Sequence, residues 1–196
     1  MEEEEEEKIM PLRPDLQGPL DQVSWSPGPW STLDSKAIIE TLVYGTRFGT
    51  VEGFWRCYQW LKRPSYLSLQ SIYHLFKEGI KPMWEFPSNI NGGTWKLWVR
   101  KGVIDRCWEN LLLAVVGEQF DVGDEICGIV VCVRNQEDTL SIWNKTASDQ
   151  RLVEGIRKKL VEVLQLPSNT LMEYKSHTQA MKETFPGHKT FPQKHL

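Results

Sequence analysis

The chain has 196 residues, 40% of them hydrophobic, and a formal net charge of −3. That suits one ordinary domain with a core and tails. No apolar run approaches the roughly 20 residues that a bilayer-spanning helix needs, so no membrane partner is expected. The charge is uneven. The first eight residues hold six Glu and one Lys, which leaves 22 basic and 20 acidic residues in the rest. An acidic head on a slightly basic body is compatible with an RNA ligand without requiring one. The start, MEEEEEEK, is the reverse of a cationic secretory signal. Cys57, Cys107, Cys127 and Cys132 form no C-x-x-C and no ligand-like spacing with the dispersed histidines. They read as buried thiols in a reducing compartment, with the cytoplasm as the expected location. Nine Trp exceed what a core of this size requires and favour an aromatic binding surface.

Residues 1–30 read as an acidic, Pro-rich, largely disordered segment, in which Trp25 and Trp30 are out of character and are each expected to dock onto the domain along a sheet edge. The domain is expected over 31–181 and a mobile tail over 182–196. KAIIETLVYG (36–45) suits a strand or a short helix. Thr50 looks like an N-cap, and Val51, Phe54, Trp55, Tyr58 and Leu61 then recur at helical spacing until Pro64. By spacing alone Trp55 is core. Residues 65–78 are mixed, with Tyr73, Leu75 and Phe76 buried. Gly92-Gly93 signals a turn into a half-buried strand, TWKLWVR, with Trp95, Leu97 and Val99 on one face. Cys107, Trp108, Leu111, Leu112 and Val115 give a helical face that ends near Gly117. ICGIVVCVR (126–134) reads as a central strand, and Glu137-Asp138 as the turn into a second strand, TLSIWNK. Asp149 starts a helix that buries Leu152, Val153, Ile156, Leu160 and Leu164 and stops at Pro167, with TLMEYK as a last strand. Helices interleaved with hairpins and meanders argue an α+β fold, an antiparallel sheet with helices on one face and the other face open to a ligand.

Chemistry-bearing constellations are scarce. There is no G-x-x-x-x-G-K-[ST], G-x-S-x-G, H-E-x-x-H or deaminase motif. His74 reads as an ordinary histidine, and the carboxylates of FDVGDE as a solvated loop. An enzyme is not expected, nor a cofactor or metal. A binding site does have residues. Trp84 and Glu85 adjoin between Pro82 and Pro87, which oppose regular structure and place the pair on a loop. An indole holds a flat cation through its π face, and a carboxylate accepts N–H groups from the edge of that ring. 7-Methylguanine, the base of the mRNA cap, is such a cation. The plainer alternative is a half-buried Trp beside a solvated Glu. A capped end also carries phosphates, for which Arg134 at the end of its strand is suited, although it could equally form a surface ion pair.

The blocks FGTVEGFWRCY, HLFKEGIKPMWE, GGTWKLWVRKG, RCWENLLLAVVGEQFDVGDEICGIVV, VRNQEDTLSIWNKTASDQ and LPSNTLMEYKSHT run almost unbroken from Phe48 to about Thr178. They resemble the translation initiation factor 4E cap-binding family, and within it the repressor-type class, the 4E homologous proteins. The resemblance implies a curved antiparallel sheet with three long helices packed on its convex face. It implies that Trp84 is one slab of a sandwich on 7-methylguanine, that Glu85 pairs with the base edge, and that Arg134 contacts the phosphate chain. Asn135, Gln136, Glu137, Asp138 and Thr139 match the cap-side loop, with Gln136 and Thr139 where initiation-type members carry lysines, so weaker affinity is implied. Trp143 matches the Trp near the methyl group. The position of the second slab holds Ile38, which has no π face, and Trp30 could substitute. On the convex side, Val51, Trp55, Arg56, Tyr58, Gln59, Trp108, Glu109 and Leu113 match the groove that receives a Tyr-x-x-x-x-Leu-Φ helix from scaffold or 4E-binding proteins. The chain is therefore expected to be a monomer that binds capped mRNA and represses translation initiation by competing for the cap. The alternative is an adaptor with reduced or lost cap binding that engages such helices.

Overall fold

The computed structural model describes residues 30–31, 50–167 and 170–184. Its elements are β1 (Trp30–Ser31), α1 (Val51–Tyr58), β2 (Ile72–Lys77), β3 (Gly93–Arg100), α2 (Ile104–Val116), β4 (Ile126–Cys132), β5 (Glu137–Asn144), α3 (Gln150–Leu164), β6 (Met172–Ser176) and α4 (His177–Thr184). The six strands form one sheet in the order β1-β2-β4-β5-β3-β6, and every neighbouring pair is antiparallel. The α+β expectation holds. The stretch 36–45, Trp25 and Ile38 lie outside the described residues.

Local chemistry explains the main elements. α1 opens with the Thr50 hydroxyl accepting the Gly53 N–H at 3.0 Å. α3 opens with the Asp149 carboxylate accepting from Arg151 and Leu152. Each bond satisfies a backbone donor that a helix start leaves without an intrahelical partner. α3 ends at Leu164, capped by Gln165, which turns left-handed at φ 50°, two residues before Pro167. β3 alternates as expected, with Trp95, Leu97 and Val99 buried and Thr94, Lys96 and Trp98 half-buried.

The sheet separates two apolar clusters. The larger joins Phe54 of α1, Trp108, Leu111 and Leu112 of α2, and Val153, Ile156 and Leu160 of α3 to Leu75, Trp95, Leu97, Ile129, Val131, Leu140 and Ile142 of the strands. Each such aliphatic side chain contributes about 1.5–3 kcal/mol when fully buried. Trp95 is also tied to α3, its Nε1–H donating to the Val153 carbonyl at 2.9 Å. The smaller cluster, on the opposite face, is Phe76, Ile80, Cys127 and Trp143, with Trp84 and Phe86 packed against it. A register shift between Ile126 and Gly128 in β4 explains how Ile126 joins the first cluster while Cys127 joins the second, because a bulge re-aims one side chain.

Three details depart from the sequence expectations. Gly92 closes a turn, its N–H donating to the Asn89 carbonyl at 2.7 Å, but neither glycine needs positive φ; both permit close approach. A Cβ on Gly92 would lie 1.9 Å from the Asn144 carbonyl oxygen, and one on Gly93 would lie 2.4 Å from the Tyr174 hydroxyl. Glu137 and Asp138 are not the hairpin turn but the first residues of β5, and the turn spans 133–136. Finally, three helices do pack over the larger cluster, but the described residues add a fourth. α4 runs past the boundary expected at 181, and His177 and Ala180 line the opposite face beside Thr94 and Lys96.

A candidate cap-binding cleft

The face away from α1–α3 holds a cleft of about 350 Å³, open to solvent. Trp84 and Trp143 line it, with Arg134 and Thr139, and with Lys96 of β3 and Lys175 of β6. Trp84 sits on a turn, as the flanking prolines require, and is half-buried, so its ring is not walled into the interior. Glu85 follows it, exposed. Trp143 is 9% exposed and packs edge-on against Phe76, ring centroids 5.3 Å apart. It is both core and cleft wall.

The loop that carries Trp84 is held by two side chains that the sequence reading passed over. Asn89 is fully buried, and its amide donates to the carbonyls of Lys81 at 2.6 Å and Met83 at 2.8 Å, drawing the loop together around Trp84. His177 is 1% exposed. Its Nδ1 lies 2.7 Å from the Asn89 carbonyl, which can only accept, so Nδ1 carries the proton. Nε2 then accepts from the Thr94 hydroxyl at 2.7 Å, and the His177 backbone N–H donates to the Gly92 carbonyl at 3.0 Å. Burial holds this imidazole below the usual histidine range, and the bond to Asn89 opposes that only in part. His177 is one of the four dispersed histidines; no local spacing marks it, because its partners lie 83 and 88 residues away.

Arg134 is placed by a buried acid. Asp138, 1% exposed, accepts the Arg134 backbone N–H at 2.9 Å and pairs with Lys101 Nζ at 2.5 Å. The same Nζ donates to the Arg134 carbonyl at 2.5 Å. Asp138 is thus a brace of the β4–β5 hairpin rather than a ligand contact. Asn135, Gln136 and Glu137 are exposed on that hairpin and do not line the cleft. Trp30 pairs with Lys77 through its backbone at the sheet edge.

On the helical side, Trp55 is 47% exposed. It is not core, although its spacing suggested so. It packs edge-on against Phe54 and Tyr58, with centroids at 5.1 and 5.7 Å. Arg56 and Gln59 are exposed beside it, and Glu109 and Leu113 of α2 are half-buried. Burial and the neighbouring Glu109 carboxylate push the Tyr58 hydroxyl up to about 12. Trp108, by contrast, is only 4% exposed and supports this face from within the core rather than lining it. Val51 begins α1, and its side chain lies outside the described residues.

Among the described residues no group of three His, Cys, Asp or Glu could hold a metal ion, and no helix is long and apolar enough to cross a membrane. A family model for eukaryotic initiation factor 4E matches residues 34–191. The chain is 48% identical over 134 residues to eukaryotic translation initiation factor 4E-4 of Caenorhabditis elegans, covering 68% of this chain and 63% of that one. It is 48% identical over 136 residues to eukaryotic translation initiation factor NCBP of Triticum aestivum, covering 69% and 59%. It therefore spans about three fifths of the length of these curated relatives. Among solved structures, initiation factor 4E-3 of C. elegans, in complex with the 4E-binding protein Mextli and a cap analog, superposes with a TM-score of 0.69 at 38% identity, covering 77% of this chain and 91% of that one. The Ascaris suum 4E-3 complex with an m7G cap gives a TM-score of 0.67 at 36% identity, covering 78% and 90%. With this sheet, these helices and a match over most of its length, the chain belongs to the eukaryotic initiation factor 4E family.

Proposed function

We propose that the chain binds the 7-methylguanosine cap of mRNA in the cleft beside Trp84. The observation that carries this is the pairing of an open Trp84 with Trp143 in one cleft, with Arg134 lining it too. In this assignment Trp84 stacks on the charged base, Glu85 accepts hydrogen bonds from its edge, Arg134 meets the phosphate chain, and Trp143 lies near the methyl group. Support comes from relatives solved with a cap analog and an m7G cap. Ile38 is assigned the second wall on sequence grounds. An aliphatic wall in place of an aromatic one forfeits on the order of 1–3 kcal/mol. Thr139 and Gln136 also bring no cation to the phosphates. The chain is accordingly a weaker cap binder than an initiation-type member, which suits a repressor that competes for mRNA ends in the cytoplasm.

The direct test is a titration with 7-methyl-GTP followed by Trp fluorescence, together with retention on 7-methyl-GTP resin. Wild type is expected to bind. Trp84→Ala should lose about tenfold to hundredfold in affinity, and Glu85→Gln should weaken binding in the same direction. No retention of wild type at physiological salt would overturn the assignment. In a translation extract, added protein should lower output from a capped reporter and spare an uncapped one; stimulation would overturn the repressor role.

A second reading has its own support in the exposure of Trp55 on α1. In it the chain is an adaptor that takes a Tyr-x-x-x-x-Leu-Φ helix on its helical face, a reading supported by a relative solved with the 4E-binding protein Mextli. It predicts helix binding without any cap-dependent quenching.

A further inference from the structure

The register of the sheet sets the open-face side chains in rows. Trp143, Thr94 and Lys175 lie abreast on β5, β3 and β6. Ser141, Lys96 and Glu173 form the next row, and Cys132, Thr139 and Trp98 the one after it. Trp98 is therefore four residues along β3 from the Trp143 row, about 13 Å at a strand rise of about 3.3 Å. Lys96 stands between, its ammonium 5.1 Å from the centroid of the Trp98 ring.

Among the described residues, three cations line the cleft, Lys96, Arg134 and Lys175. Of the described carboxylates, Glu173 and Glu183 line it as well, and both attend Lys175, at 3.9 and 2.7 Å. Among the described residues, neither Lys96 nor Arg134 forms an ion pair. A cation held in no ion pair among the described residues, set between aromatic rings on an open sheet, is the chemistry that holds single-stranded nucleic acid: phosphate on the ammonium, base on the ring.

We propose that Lys96 and Trp98 form a second subsite, which takes the RNA strand leading away from the cap. Lys96 pairs with the phosphate chain, and Trp98 stacks on the first base beyond it. An arriving phosphate draws the Lys96 ammonium off the indole and leaves its π face to the base. The subsite rests on the cap assignment for Trp84 and extends the ligand from a nucleotide to a strand.

The test compares 7-methyl-GTP, a capped short oligoribonucleotide and the same strand uncapped, each titrated into the full chain. The capped strand is expected to bind about tenfold tighter than 7-methyl-GTP. Trp98→Leu, which keeps apolar bulk on the strand, should abolish that difference while 7-methyl-GTP affinity stays within about twofold. Lys96→Gln should weaken both capped ligands and lower the slope of log affinity against log salt by about 0.7. Equal affinities in wild type, or a difference that survives Trp98→Leu, overturn the subsite. Should Trp98→Leu fail to fold, an unchanged salt slope in Lys96→Gln overturns it instead. Failure of the cap assignment looks different: 7-methyl-GTP does not bind, and capped and uncapped strands bind alike. The Trp98 effect is then read on those strands, and its absence there overturns the subsite too.

Discussion

Asp138 and Lys101 show how one residue's environment decides its role. The carboxylate is buried and its partner lysine side chain is 44% exposed. Removing the acid leaves a lysine that can reach water, whereas removing the lysine strands a buried charge with a single backbone N–H. Breaking a buried pair from that side costs about 3–5 kcal/mol, here at the low end because Lys101 is half in solvent. Lys101→Met should therefore destabilise by about 3 kcal/mol and Asp138→Asn by only about 1 kcal/mol. Chemical denaturation of the two variants checks this, and the reverse order would remove Asp138 from its role as brace. The same chemistry separates Asp138 from Arg134, four residues earlier, which keeps its guanidinium at the cleft.

At the scale of elements, the Trp84 loop, β3 and α4 meet at His177. Its neutral ring is satisfied on both nitrogens, by Asn89 on the loop and Thr94 on β3. Its folded pKa is depressed by burial, so below the ordinary value of about 6.5 the unfolded chain takes a proton that the folded chain refuses. The unfolded state binds more protons in that window, so stability rises with pH there and falls as pH is lowered from about 6.5 toward the folded value. The slope from one such group reaches at most about 1.4 kcal/mol per pH unit. Denaturation midpoints across that range should show the loss, and His177→Gln should flatten it. An identical slope in the variant would assign the proton uptake elsewhere. Gly92 belongs to the same junction, since its missing Cβ lets the loop end pass the Asn144 carbonyl.

At the scale of the molecule, the two candidate surfaces lie on opposite faces of one sheet. Trp55 rests on the α1–α2 side, and Trp84 on the smaller cluster beneath the cleft. Sites that share no side-chain partners contribute independently, within about 0.5 kcal/mol. Trp55→Ala should then abolish binding of a Tyr-x-x-x-x-Leu-Φ peptide while 7-methyl-GTP affinity changes by less than about threefold. A large change in cap affinity would show that the sheet transmits between its faces.

Much of this was legible along the chain, where the cause is local. The caps Thr50 and Asp149, the alternation of β3, the helical stripes of α2 and α3 and the Trp84 turn between two prolines each depend on neighbours within a few residues. Trp84 and Arg134 are candidate binding residues by their own chemistry, and the resemblance adds to that. Other features were not legible because their causes are distant in sequence. Trp55 and Trp108 both sit at helical spacing, yet only packing against the sheet leaves the first 47% exposed and the second 4%. Asp138 read as a turn residue until Lys101, 37 positions earlier, neutralised it inside a strand. Lys96 and Trp98 read as the outward half of an ordinary strand. They enter the proposed subsite only because the β4–β5 hairpin brings Arg134 and Trp143 onto the same face, since strand register, which no short stretch encodes, decides which side chains become neighbours.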